Sequence, residues 1–285
     1  MAKQLLGKPV AAAVAEDMQP LVEELRGQGI VPCLAIVRVG ERGDDIAYER
    51  SAMKRMDAWH VDVKNVVLPE TVDQETLEAT FREVNEDAGV HGILLFQPLP
   101  KHLDVEPLKR MIDPLKDIDG VSPVNTSKVF GGDRSGVAPC TPEAVMEILA
   151  RYDIDLTGKR VTLVGRSMIV GKPLAMLLLK ENATVTICHT RTKDLAARCR
   201  EAEVVIAAAG AAKMITADMV SKDAVVVDVG INVDENGKLV GDVDYDAVEP
   251  LASAITPVPG GVGGVTTSIL GKHVVKAAMA LHSIK

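Results

Sequence analysis

A chain of 285 residues, 47 % hydrophobic and 25 % charged, has the composition of a folded protein and the length for two domains of about 100–200 residues each. A formal charge of −8 and an aromatic fraction of 2 % argue against a nucleic-acid partner, since bulk positive charge and stacking platforms are both lacking. The N-terminal stretch, broken by Lys8, Pro9 and Glu16, is too polar for a signal segment, no run reaches the ~18 apolar residues of a membrane span, and Cys33, Cys140, Cys188 and Cys199 are too scattered for a zinc knuckle or a disulfide frame.

A cytoplasmic protein with no membrane partner and no metal centre is the resulting expectation. With few aromatics the core must be Val, Ile, Leu, Ala and Met, which suits parallel strands covered on both faces by helices. CLAIVRVG, Cys33–Gly40, is an apolar run closed by glycine and reads as a buried strand. Residues 46–59 have helical spacing, with Met53 and Met56 directed inward. Val61–Pro69 alternates as a strand does, and Gln74–Glu86 is a helix opened by Thr71 and Asp73. GILLFQPLP, Gly92–Pro100, is a strand halted by prolines, which cannot donate to a ladder. A short helix at Val105–Met111 completes a βαβαβα series, which implies a parallel sheet.

Residues 113–125, DPLKDIDGVSPVN, form a turn-rich joint. CTPEAVMEILARYD then opens a helix, with Thr141 as N-cap and Pro142 in the first helical position. Strands follow at Val161–Val164, Ala183–Cys188, Glu203–Gly210, Ala224–Gly230 and Ala252–Val258, with helices at Lys193–Glu201 and Ala217–Lys222. A glycine-rich loop and a C-terminal helix end the chain.

VTLVGRSMIVGKPLA, residues 161–175, is a strand, a glycine-bounded turn and a helix carrying Pro173. A triphosphate loop needs four residues between its glycines and a Ser or Thr hydroxyl after the lysine. Here five residues separate Gly165 from Gly171, and Lys172 is followed by Pro173, so no magnesium ligand is in place. A dinucleotide fits better: Gly165 lets the backbone approach a ligand, and the helix N-terminus offers unpaired N–H groups. The spacing is not G-x-G-x-x-G, and a turn that merely packs gives the same pattern. NAD-binding domains carry an acid about 20 residues on. TICHTRT puts His189, Thr190 and Arg191 there instead. With Arg166 in the turn, two arginines and a hydroxyl suit a 2′-phosphate and favour NADP over NAD, although a solvated arginine at 191 reads equally well. AAAG, Ala207–Gly210, and DVGIN, Asp228–Asn232, end strands with small residues suited to close approach by a cofactor.

KDIDG (Lys116–Gly120), PCTP (Pro139–Pro142), GRSMIVGKP (Gly165–Pro173), DVGIN, GKLVGDV (Gly237–Val243) and ITPVPGGVG (Ile255–Gly263) occur in this order. Together they resemble the bacterial methylenetetrahydrofolate dehydrogenase/cyclohydrolase family, FolD, along essentially the whole chain. The resemblance implies an α/β protein of two domains: a folate-binding catalytic parallel-sheet domain at 1–120, completed by a helix at 265–285, and a Rossmann-type NADP-binding domain at 121–264. It also implies a homodimer, a tetrahydrofolate substrate, and hydride transfer from 5,10-methylenetetrahydrofolate to NADP. In most members, hydrolysis to 10-formyltetrahydrofolate follows. Carried over residue by residue, Asp119 matches the acid that bonds the pterin and Tyr48 the tyrosine beside the folate. Pro257, Gly260 and Gly261 match the folate-lining loop. Gly165, Arg166, Ser167, Ile169, Gly171, Thr190, Arg191, Gly210 and Ile231 match cofactor contacts.

Two positions depart from that pattern. The family helix carries Y-x-x-x-K, a spacing that puts both side chains within about 40° at the ~100° step of a helix. This chain has Ala52 four residues after Tyr48, and alanine carries no proton. Lys54 lies roughly 240° around by the same step. The family glutamine that bonds the lysine is replaced by Phe96, with Gln97 one position later and turned to the opposite face of a strand. Lys54 and Gln97 are therefore weak substitutes, and the expectation is a dehydrogenase whose cyclohydrolase step is weak or absent, the alternatives being the full bifunctional enzyme and a non-catalytic folate- or nucleotide-binding derivative. GGVGGVT, where the family has proline and methionine after GGVG, is a minor change.

Overall fold

The computed structural model describes residues 2–284. Its first half runs β1 (Lys3–Gln4), α1 (Gly7–Gly27), β2 (Cys33–Val39), α2 (Gly43–Ala58), β3 (Asp62–Leu68), α3 (Gln74–Glu86), β4 (Gly92–Leu95), α4 (Glu106–Met111) and α5 (Pro123–Phe130). The second half runs α6 (Cys140–Arg151), β5 (Arg160–Val164), α7 (Gly171–Lys180), β6 (Thr184–Cys188), α8 (Leu195–Arg200), β7 (Val204–Ala207), β8 (Val225–Asp228), β9 (Asn232–Val233), β10 (Leu239–Val240), α9 (Tyr245–Val248), β11 (Ala254–Ile255) and α10 (Gly263–Leu281). The backbone divides into two units: residues 13–140 with 267 onward, and residues up to 12 with 141–266.

That division differs from the expected 1–120 and 121–264, for two physical reasons. β1 pairs in parallel with β11, which ties the first residues to the second unit. Residues 121–125 are tied back by the fully buried Asp117, whose carboxylate accepts from Val121 N, Ser122 N and Asn125 Nδ2. Asn125 Nδ2 also donates to the Pro114 carbonyl.

The first unit, 13–140 with 267 onward, is built on a parallel sheet in the order β3-β2-β4. β2 is central and buried from Leu34 to Val39, as an apolar run covered on both faces requires. Leu77, Phe81 and Val84 of α3 and Leu108 of α4 pack against Ala35, Val37, Ile93 and Leu95. Asp73 caps α3 by accepting from Thr76 N at 2.7 Å, as the sequence anticipates. α2 turns Asp45, Glu49, Ala52 and Met56 inward, a spacing of three to four residues that defines one helical face. Met53, expected inside, is 38 % exposed, because it falls off that face.

The second unit, up to residue 12 with 141–266, holds a six-stranded sheet in the order β1-β11-β8-β7-β5-β6, with every pairing parallel. β6 lies on one side of β5 and β7 on the other, so the winding direction reverses at β5. Ligands of open α/β sheets bind outside the carboxyl ends of the strands at such a reversal. The turn after β5 is therefore the place to look.

Some boundaries move from the expected ones. α6 begins at Cys140, ahead of Thr141, and its first N–H is bonded by the Asp119 carboxylate at 2.9 Å. The expected helix at 217–222 is a single 3₁₀ turn over Ala217–Met219. The expected strand at 252–258 pairs only at Ala254–Ile255. No described helix is long and apolar enough to cross a membrane, and no three His, Cys, Asp or Glu side chains among the described residues are arranged to hold a metal.

Candidate active site

Gly165 ends β5 at φ +142°, and a Cβ there would overlap the Ala208 carbonyl. A Cβ at Gly171 would overlap Gly165 in turn. The turn thus closes only with glycine at both ends, leaving its backbone open to a ligand. Ser167 Oγ accepts from Val170 N at 3.0 Å and Gly171 N at 3.4 Å, fixing the first turn of α7. Arg166, Ser167 and Ile169 are exposed, Ile169 at 57 %. The next strand end is a second tight turn, in which Thr192 Oγ1 accepts from His189 N and Arg191 N donates to His189 Nδ1. Thr190 and Arg191 project from it, exposed. Neither Arg166 nor Arg191 forms an ion pair among the described residues.

The structure brings the other expected cofactor positions to adjacent strand ends. Gly210 lies in the exposed turn after β7, and Ile231, 66 % exposed, follows β8. Gly210 and the residue after Ile231 are held by a group that sequence reasoning missed: Asp242 accepts from the amides of Ala209, Gly210 and Ala211 and from Asn232 Nδ2. GDV contains that aspartate, but nothing local in the sequence reveals donors some thirty residues away. Pro257, Gly260 and Gly261 form a loop before α10, and the Gly260 carbonyl accepts from Gly7 N at 2.8 Å.

In the first unit Tyr48 projects from α2, and the ring of Phe96 meets it edge-on, centroids 5.8 Å apart at 88°. Ala52, one turn further along α2, is 0 % exposed. Its neighbour on the inner face, Glu49, bonds Arg38 Nε at 2.8 Å and Asn65 Nδ2 at 3.3 Å, and Arg38 also bonds the Gly40 carbonyl. Glu49 is thereby committed to a buried pair. Lys54 is exposed, away from buried Ala52, and Gln97 is half-buried beyond the end of β4.

Asp119 is brought to the same sheet by a parallel bridge between Asp117 and Ile93, which places it level with Leu95, one residue before Phe96. Burial pushes the Asp119 carboxyl above the usual carboxylate range, the Cys140 N–H bond and His273 pulling the other way. Asp119 Oδ1 accepts from Cys140 N at 2.9 Å, and the Cys140 side chain also hydrogen-bonds the carboxyl. His273 Nδ1 bonds the Ile118 carbonyl at 2.7 Å, steadying the residue before it.

A parallel α/β unit joined to a doubly wound unit with a glycine turn at its reversal point defines a two-domain nucleotide-dependent enzyme class. Sequence profiles agree with that class. Residues 5–119 match the tetrahydrofolate dehydrogenase/cyclohydrolase catalytic domain, and residues 139–282 match the NAD(P)-binding domain of the same family. The chain belongs to the tetrahydrofolate dehydrogenase/cyclohydrolase family. It is 55 % identical over 271 residues to the bifunctional protein FolD of Clostridioides difficile, covering 95 % of this chain and 94 % of that one. It superposes on the crystal structure of the Campylobacter jejuni bifunctional FolD enzyme with a TM-score of 0.96 at 40 % identity, covering 98 % and 99 %. The Trypanosoma brucei FolD enzyme, crystallised with NADP and an inhibitor, gives a TM-score of 0.92 at 36 % identity, covering 98 % of both chains.

Proposed function

We propose that the chain is an NADP-dependent 5,10-methylenetetrahydrofolate dehydrogenase of one-carbon metabolism that releases 5,10-methenyltetrahydrofolate without hydrolysing it. The whole-chain family membership, with the closed glycine turn after β5, carries the first half of this reading. A cofactor fits the residues present: Gly165 lets the turn pack directly on the Ala208 carbonyl, where a Cβ would overlap, so the backbone of the turn stays tight and bare beside the N-terminus of α7, and Arg166, Thr190 and Arg191 supply unpaired cations and a hydroxyl for a 2′-phosphate. When bound, NADP supplies the hydride acceptor. Hydride leaves the methylene carbon with its electron pair, so the substrate becomes the methenyl cation and NADPH forms, with no water consumed.

The chain's own residues bind and orient. Asp119 is a half-buried carboxylate held by Cys140, and the paired donors of an amino-pyrimidinone edge would complement it. Tyr48 and Phe96 present an aromatic surface. Hydride transfer between two bound partners needs alignment more than a protein acid or base, whereas adding water to the methenyl group requires a group that moves protons. At the position that resemblance assigns to a lysine the structure has buried Ala52, and at its glutamine partner the ring of Phe96 packs on Tyr48. Both members of one polar pair are apolar, so the hydrolytic step has lost its machinery. A homodimeric state in the cytoplasm completes the proposal, checked by light scattering and by cell fractionation.

The test is purified protein with methylenetetrahydrofolate and NADP or NAD, following methenyl formation and decay. NADP-dependent formation with decay at the buffer rate supports the reading. Absence of turnover with either cofactor overturns it, and enzyme-dependent decay overturns its second half.

A further inference from the structure

Asp228 and Asp242, 3 % and 0 % exposed, are buried carboxylates with no part in the chemistry above. Each is surrounded by N–H donors. Asp228 Oδ1 accepts from Gly230 N and Asp242 N, and its Oδ2 from Val243 N, all at 2.9 Å. Asp242 Oδ2 accepts from Ala209 N at 2.6 Å and Gly210 N at 2.9 Å. Its Oδ1 accepts from Ala211 N and Asn232 Nδ2, both at 2.9 Å. The two side chains are linked in series: Asp228 grips the backbone that carries Asp242, and Asp242 grips the segments after β7 and β8.

The close approach is written into neighbouring glycines. A Cβ at Gly230 would overlap the Asp242 carboxyl, and one at Gly241 would overlap that of Asp228. The gripped segment also abuts the glycine turn, because Ala208, the residue on which Gly165 packs, immediately precedes the three bonded amides. Ala209 and Gly210 are exposed and have no side chain beyond a single methyl to anchor them. Without the carboxylate, this short segment would be free to open locally. Charge-assisted bonds to three successive amides fix it instead, and a surface fixed before binding lowers the cost of association.

We propose that Asp242 is a positioning residue for the cofactor: it presets the 209–211 turn and the Ile231–Asn232 segment, and Asp228 holds it in place. This rests on the NADP reading above and names the device that shapes that site. Asp242→Asn keeps the size of the side chain but turns an amide NH₂ toward N–H donors, so at least one bond is replaced by a repulsive contact. The expected result is an NADP KM raised about tenfold or more, a kcat changed by less than about threefold, and an unchanged KM for methylenetetrahydrofolate. Amide hydrogen exchange at Ala209, Gly210 and Ala211 should quicken about tenfold or more in the variant without cofactor.

Asn232→Ala, which removes a single donor from a half-exposed side chain, is the milder second variant and should move the NADP KM in the same direction by about threefold. An unchanged NADP KM in both folded variants, with only a lower melting temperature, overturns the proposal; so does unchanged protection at 209–211. The exchange arm needs no cofactor. If the wild-type chain does not bind NADP, the functional reading fails while loss of protection in Asp242→Asn still supports the clamp.

Discussion

The turn after β5 and the face of α2 around Tyr48 are both candidate site regions, and they are built from different materials. The turn is made of backbone: Gly165 and Gly171 close it, Ser167 caps the helix beyond it, and Asp242 fixes the strand end beside it. The α2 face is made of side chains, in which Ala52 and Phe96 stand where the family resemblance calls for a lysine and a glutamine. A backbone site is preserved as long as its glycines and buried caps persist, and its function is to hold a cofactor that brings its own reactivity. A side-chain site lives or dies by single groups that carry protons. On the reading proposed above, the two departures on α2 and after β4 would remove one activity and leave the other.

The comparison breaks most easily at Gly165. Gly165→Val puts a branched side chain where even a Cβ overlaps the Ala208 carbonyl, at a φ that L-residues rarely adopt. NADP-dependent turnover should fall at least ~100-fold, more than the tenfold expected from a single lost hydrogen bond. Folate binding, measured by fluorescence titration, should stay within about twofold, since one hydrogen bond or less is at stake there.

A gain of function sharpens the other half. Ala52→Lys with Phe96→Gln should raise enzyme-dependent methenyl decay at least ~10-fold over buffer, toward the 10²–10⁴ range typical of acid–base catalysis. Ala52→Lys alone should gain little and lose stability, because a lysine at a fully buried position without its partner is costly. Urea denaturation of the two single variants and the double variant separates these effects.

Much of this architecture was legible in the sequence, and the misses have physical reasons. CLAIVRVG, VTLV and the 74–86 helix carry strong local patterns, and all appear within a residue or so of the expected bounds. α1 was not anticipated, since the N-terminal stretch reads as broken at Lys8 and Pro9. Pro9 falls in the first turn, where no N–H is needed, and only Pro20 lies deeper inside. α5 was hidden in a turn-rich joint, although Ser122 caps it and Pro123 opens it. The glycine turn was readable because its constraint is local. The Asp242 clamp was not, because its three backbone donors lie about thirty residues upstream and only the sheet order brings them together. Ala52 and Phe96 became visible only through family resemblance: alanine on a buried helical face is otherwise unremarkable.

Arg191→Asp bears on the cofactor side with a smaller expected effect. Replacing a cation by an acid at the end of β6 should lower the preference for NADP over NAD about tenfold, the scale of one charge-assisted bond, read as the ratio of kcat/KM values. Equal effects on both cofactors would place Arg191 outside the 2′-phosphate site.

The smallest expected effect is in proton binding. Burial, reinforced by the charge of Asp242, raises Asp228 from 3.8 to about 6, against the pull of bonds from Val243, Asp242 and Gly230. Its contribution to stability is therefore complete below pH 3.8 and fades as pH rises through about 6. A carbon-13 carboxyl titration should give Asp228 a midpoint near 6, and a midpoint near 4, the value of a hydrated aspartate, would contradict burial of the pair.

The most direct test of the contrast between the two regions follows the methenyl product itself. With methylenetetrahydrofolate and NADP, its absorbance should rise in proportion to enzyme and then decay at a rate independent of enzyme concentration. Decay that accelerates as more enzyme is added would show that the α2 face still carries a proton-moving group, and that the loss assigned to Ala52 and Phe96 is wrong.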